Sequence, residues 1–203
     1  MTLSLFAPLD RSSGYATRHT RVMINLSGYT TGGFERGASP MAEAAWWLVR
    51  ALFFLTPIPW PSRLRVALLR LFGARVGEGV VIRSQVNITF PWRFTAGDHV
   101  WLGEEVLILS LASVTIESHC CISQRAFLCT GSHDFSSPAF TLVTRPITIH
   151  EGSWVAASAF IAPGVEVGLG SMVAAGSVVL HNVPSGVIVR GNPAVVTGPV
   201  KKT

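Results

Sequence analysis

The chain has 203 residues, enough for one domain with a small appendage, and its charged share of 13% is about half the usual ~25%. Hydrophobic residues make up 49%, which excludes a disordered chain; so few charges imply a surface covered by the chain itself, by copies of it, or by a membrane face. The net charge of +5 suits an anionic partner such as phosphate or phospholipid, whereas nucleic acid is not expected, because the basic residues are scattered and no reading motif accompanies them.

Residues 1–25 are polar and Arg-spiked without a steady period, and are expected to form a loose arm. Their start lacks the basic-then-apolar order of a signal peptide, and no later stretch has the roughly 18–20 apolar residues of a spanning helix. Three cysteines, Cys120, Cys121 and Cys129, without a CxxC pair, argue against a disulfide framework or a structural zinc. The cytoplasm is the expected compartment. Residues 26–73 read as a helical cap. After a Gly- and Thr-rich loop, one helix is predicted from Pro40 to Leu55, with Ser39 as N-cap and Pro40 in the first position. The TPIPWP segment breaks it, and a second helix is predicted from Ser62 to Phe72, stopped by Gly73.

From Ala74 the pattern changes. Val, Ile or Leu recurs every six residues in fourteen of fifteen slots, Ala96 being the exception: Val76, Ile82, Ile88; then Ala96, Leu102, Ile108; then Ile116, Ile122, Leu128; and, after an interruption over 134–148, Ile149, Val155, Ile161, Val167, Val173 and Val179. A period of six is neither helix nor ordinary strand; it means a very short strand and a corner, repeated. Three units close a triangular coil, the aliphatic slot points inward, and glycines at the turn places supply backbone angles other residues resist. The fold class is therefore mainly β, a parallel β-helix of about five coils over residues 74–184 with an excursion loop at 134–148, preceded by the two helices and followed by a tail, 185–203.

This repeat resembles the hexapeptide transferase repeat, whose fold is a left-handed parallel β-helix. The block from Ile147 through VRGNPA resembles the C-terminal half of the sugar O-acetyltransferases. LSGYTTGGFERG, the two helices and CTGSHDFSSPAFTLVTRPI resemble, more narrowly, the colanic acid and exopolysaccharide acetyltransferases, and the resemblance covers about residues 26–195. It implies acetyl-CoA as acyl donor, a homotrimer, and direct transfer to a sugar hydroxyl with no covalent enzyme intermediate.

His133 is the first candidate. It ends the third coil where a loop leaves the prism, and the resemblance implies that the matching histidine is the general base. Asp134 would orient it or bind the acceptor. Ser132, Trp92 and Arg93 are candidates for the acceptor side; Ser110 and Ser113 are the polar residues of the stretch ILSLAS, where relatives lead one to expect an acidic or amide group. In the family the cofactor lies between subunits against small-residue corners. The matching positions are Ala157, Ala175 and Gly176, with Trp154 lining the groove and Arg190, with Lys201 and Lys202, reaching for phosphates. His99 and His119, 20 residues apart, should stack on one outer face. A β-helical carbonic anhydrase resembles the repeat too, but its three-histidine spacing is missing here, so no metal is expected. The aromatic and basic helices (Trp46, Trp47, Phe53, Phe54 and Trp60 with Arg50, Arg63, Arg65 and Arg70) suit a prism cap, a membrane surface, or both. The acceptor is expected to be a saccharide, free or lipid-linked. Two rivals stay open: an acetyltransferase for a small acceptor (free sugar, antibiotic or serine), and a non-catalytic β-helix scaffold.

Overall fold

The computed structural model describes residues 23–201, so most of the N-terminal arm, and Lys202, lie outside the described residues. Helix α1 (Pro40–Val49) starts where Ser39 Oγ accepts from Ala42 N and continues as a wider π-helical turn over residues 50–54. Helix α2 (Ser62–Leu71) follows. Between and beneath them the fully buried Arg65 donates to the carbonyls of Phe53, Ile58, Trp60 and Ile82. It ties both ends of the inter-helix turn to the first coil. Trp46, 2% exposed, donates its indole N–H to the carbonyls of Ile88 and Thr89, and packs against Phe54 and Phe72.

The coils run in strict order. The first holds β1 (Arg75–Val76), β2 (Val81–Ile82) and β3 (Asn87–Ile88); the second β4 (Phe94–Ala96), β5 (Trp101–Leu102) and β6 (Leu107–Leu109); the third β7 (Val114–Ile116), β8 (Cys121–Ile122) and β9 (Phe127–Cys129). A hairpin follows, β10 (Gly131–His133) and β11 (Leu142–Thr144), paired antiparallel. Thus the segment read as an excursion loop over 134–148 is a hairpin that begins at Gly131. The fourth coil holds β12 (Ile147–Ile149), β13 (Trp154–Val155) and β14 (Phe160–Ile161); the fifth β15 (Glu166–Val167), β16 (Met172–Val173) and β17 (Val178–Val179). Five coils were expected, but the winding goes on into a sixth, partial turn. Val183 bridges Val167, and β18 (Val187–Gly191) pairs parallel with β16 before β19 (Ala194–Pro199) folds back antiparallel. The residues read as a tail thus extend one sheet, hidden from the six-residue count because the slot after Val179 is Ser185.

All fifteen slots are buried, each worth roughly 1.5–3 kcal/mol for a full-sized aliphatic side chain. Within each two-residue strand the second side chain points in and the first points out. The three faces therefore carry different outer rows. The first shows Arg75, Thr95, Thr115, Thr148 and Glu166; the second Val81, Trp101, Cys121, Trp154, Met172 and Ile188; the third Asn87, Leu107, Phe127, Phe160 and Val178. One face is polar and two are apolar.

Candidate active site

His133 ends β10 and is exposed. Its Nδ1 lies 3.0 Å from the carbonyl oxygen of Phe140. A carbonyl only accepts, so this contact places a hydrogen on Nδ1, and in a neutral ring the lone pair is then on Nε2. The Phe140 ring stacks on the imidazole at 4.2 Å and 7°, and Tyr29 tilts against it at 5.9 Å. Phe140 adopts φ +47°, a conformation bulky residues avoid. Around His133 opens a cleft of about 490 Å³ lined by Ser132, His133, Asp134, Val143, Arg145 and Pro163.

Asp134 sits in the cleft wall but does not orient the ring. Its Oδ1 accepts from Ser136 N, at 2.9 Å, and from Ser136 Oγ, and these bonds hold the carboxyl below the usual aspartate range. It caps the hairpin turn, and the Phe140 carbonyl takes the orienting place. The hairpin is strapped from outside by residues 25–36. Asn25 N donates to Pro138 O at 2.9 Å and Leu142 N to Thr30 O at 3.1 Å.

Trp92 and Arg93 do not line this cleft. Arg93 donates to the carbonyls of Leu111 and Glu35 and lies over the ring of Phe34 at 4.9 Å; Trp92 donates to Arg36 O at 2.8 Å. Both fasten the strap to the prism. Ser110 is buried, exchanging hydrogen bonds with the backbone of Phe90. His99 and His119 stack as expected, centroids 5.2 Å apart. Among the described residues no group of three or more His, Cys, Asp or Glu is placed to hold a metal.

The cofactor candidates lie elsewhere. Ala157 and Gly176 stack at the corner between the second and third faces, Gly176 N donating to Ala157 O at 2.9 Å. A Cβ at Gly176 would meet no atom within 4 Å, so the corner is open on its outer side, with room for a thin ligand arm. Trp154, on the adjoining face, donates to Ser123 Oγ at 2.8 Å; Arg190 is exposed on β18. His133 occupies the next corner, between the third and first faces. Within one chain, then, His133 and the Ala157–Ala175–Gly176 row are separated by the whole third face. The sequence reading missed Phe140, Tyr29 and Arg145; only their place in or near the quoted TGSHD and LSGYTTGG segments pointed towards them.

The chain is 45% identical over 174 residues to WcaF of Escherichia coli (strain K12), named as a colanic acid biosynthesis acetyltransferase, covering 86% of this chain and 96% of that one. A crystal structure of a hexapeptide-repeat-containing acetyltransferase from Vibrio cholerae, complexed with acetyl coenzyme A, matches with a TM-score of 0.72 at 25% identity, covering 87% of this chain and 98% of that one. A galactoside acetyltransferase in complex with coenzyme A shares the fold, with a TM-score of 0.72 at 22% identity over 80% of this chain and 82% of that one. No family model matches. A six-residue repeat wound into a β-solenoid, with this degree of likeness along nearly the whole of a relative, means that the chain belongs to the hexapeptide-repeat acetyltransferases, in the group of WcaF.

Proposed function

We propose that the protein is an acetyl-CoA-dependent O-acetyltransferase that modifies a sugar hydroxyl during polysaccharide biosynthesis. The observation that carries this is the contact of His133 with Phe140: Nδ1 lies against the carbonyl oxygen, so a neutral ring holds its hydrogen there and turns Nε2 to the cleft. In the proposed step Nε2 takes the proton of the acceptor hydroxyl as that oxygen attacks the acetyl thioester carbonyl. The tetrahedral oxyanion then collapses, the C–S bond breaks, and the CoA sulfur leaves with the proton returned by His133. Backbone N–H groups at the corners are the available donors to the oxyanion.

Ala157, Ala175 and Gly176 would pass the pantetheine arm, with Trp154 beside it and Arg190 near its phosphates; Ser132 and Arg145 would face the acceptor. Because His133 and the open corner lie on different edges of one prism, one complete site needs two chains. Two apolar outer faces support the same conclusion. A cyclic homotrimer packing the second face of one chain on the third face of the next would cover both and bring an open corner to each His133. The chain would work in the cytoplasm at the inner face of the membrane on a saccharide held there, with the exposed apolar side of α1 as the contact.

The test is to incubate the full chain with acetyl-CoA and a panel of saccharides, nucleotide sugars and small acceptors, and to follow the mass gain of one acetyl group. A gain on a saccharide that is absent with His133→Ala is expected. Transfer only to serine or an antibiotic would assign the small-acceptor activity, and neither transfer nor acetyl-CoA binding would leave a scaffold.

A further inference from the structure

Three arginines are drawn out of solvent far enough to hold their guanidinium groups below the usual range: Arg50, Arg65 and Arg93. Arg65 satisfies four carbonyls, and Arg93 two. Arg50 differs. Its Nε is buried and has no hydrogen-bond partner among the described residues. The equally orphaned Oδ1 of Asn87, on β3 below, does not serve it. Arg50 is half-buried, with Nε shut away from solvent and unpartnered, and a guanidinium fork is shaped for a phosphate or carboxylate.

The surroundings supply the place for such a group. Arg50 lines a cavity of about 320 Å³ between α1 and the corner that follows β3, together with Arg36, Trp46, Trp47, Phe90 and Trp92. Glu43, the acid in this cavity, is already paired with Arg36. Residues 44–77 contain five arginines and no Asp or Glu, so the one acid beside Arg50 in this cavity is Glu43, which Arg36 engages. Trp47, 64% exposed, offers an indole at the rim. A guanidinium in the wall and an indole at the rim are the chemistry of a phosphate joined to a sugar ring.

We infer that the Arg50 cavity is a binding site for the phosphate of a phosphosugar, separate from the cleft at His133, and that it anchors the acceptor through its carrier phosphate. The word acceptor rests on the transferase reading above; the phosphate site does not. The phosphate can come from a nucleotide sugar or from a lipid-linked sugar.

Calorimetry on the full chain separates these. The probes are inorganic pyrophosphate, a nucleotide sugar, an alkyl-diphosphate-linked sugar and a uronic acid. The variants are Arg50→Gln, Trp47→Ala and, as a charge-matched control, the exposed Arg63→Gln. Arg50→Gln is expected to weaken every phosphate probe at least about tenfold, with acetyl-CoA binding and the thermal midpoint unchanged. Trp47→Ala should weaken the sugar-bearing probes but not pyrophosphate, and Arg63→Gln should alter none. Tighter binding of the alkyl or of the nucleotide probe upholds the site and names the carrier. No saturable phosphate binding, equal affinity in Arg50→Gln, or a uronic acid bound as tightly would overturn it. Loss of acetyl-CoA binding by the unaltered chain would instead overturn the transferase reading and leave the phosphate site standing.

Discussion

Phe140 holds a backbone conformation that costs on the order of 1–3 kcal/mol for a residue of its size, and in that conformation its carbonyl meets His133 Nδ1 while its ring covers the imidazole. Removing the imidazole should therefore remove catalysis and little else: His133→Ala is expected to lower kcat at least about 100-fold while acetyl-CoA affinity, read by calorimetry, stays the same. A second residue-scale expectation concerns Cys120, whose thiol is buried within the third coil and pushed up by that burial to about 11 from the ordinary 9.0. The folded state keeps this proton after the unfolded chain has lost it. Stability should then fall as pH rises from about 9 to about 11, and Cys120→Ala should flatten that fall in urea titrations repeated across the window. The place of His133 at the exit of a coil was legible in the sequence, and its TGSHD setting made it the candidate. Phe140 was not: it lies in an aperiodic stretch, and it reaches His133 only because the β10–β11 hairpin folds back, pairing His133 with Leu142.

At the scale of elements, the six-residue period specified the coils because each slot lands on an inward position, but it gave a single reason for the glycines where the structure has two. At Gly176, φ is +68° and the space beyond is empty, so the backbone angle is the reason. Gly77 is not in the left-handed region, and a Cβ there would meet Gly97 C at 2.7 Å; the next coil passes too close for a side chain. The helices were legible in their bounds but not in the fate of their arginines. Arg65, counted with the surface bases, is the bolt between cap and prism. Arg65→Met would strand four carbonyls and should cost about 3 kcal/mol or more in urea unfolding, and Arg65→Lys should not restore it, since an ammonium lacks the planar fork. The outer side of the same helices has the opposite character. Met41 is 84% exposed, and Trp47, Leu48, Leu52, Leu55 and Ile58 lie open with it, although no described helix is long and apolar enough to cross a membrane. If this side rests on an anionic bilayer, the chain should float with anionic liposomes at low salt. Leu48→Glu with Leu52→Glu should abolish flotation and leave acetyl-CoA binding intact. Sedimentation of the unaltered chain away from such vesicles would refute the contact.

For the whole molecule the decisive fact is that the two halves of the proposed site lie on different edges of one prism. His133 follows β9 and ends β10; the Ala157–Gly176 row precedes β14 and β17. Rigid stacking fixes their separation, so no local movement within a chain brings them together, whereas a neighbour packed on an apolar face can. This yields a test that neither half alone provides. Ala175→Trp should fill the open corner and block acetyl-CoA; His133→Ala should remove the base; each protein alone should be inactive. Mixed one to one, unfolded and refolded together, they would assemble at random, and a site is whole when its histidine comes from the first variant and its corner from the second. In a cyclic trimer that chance is one in four, so activity should return to about a quarter of the unaltered enzyme. If both halves were supplied by the same chain, every site would carry one defect and mixing would restore nothing. The outer faces predict the companion result. Phe160→Glu, on an apolar face, should break the proposed trimer and its activity together in light scattering and turnover, while Thr148→Glu, on the polar face, should change neither.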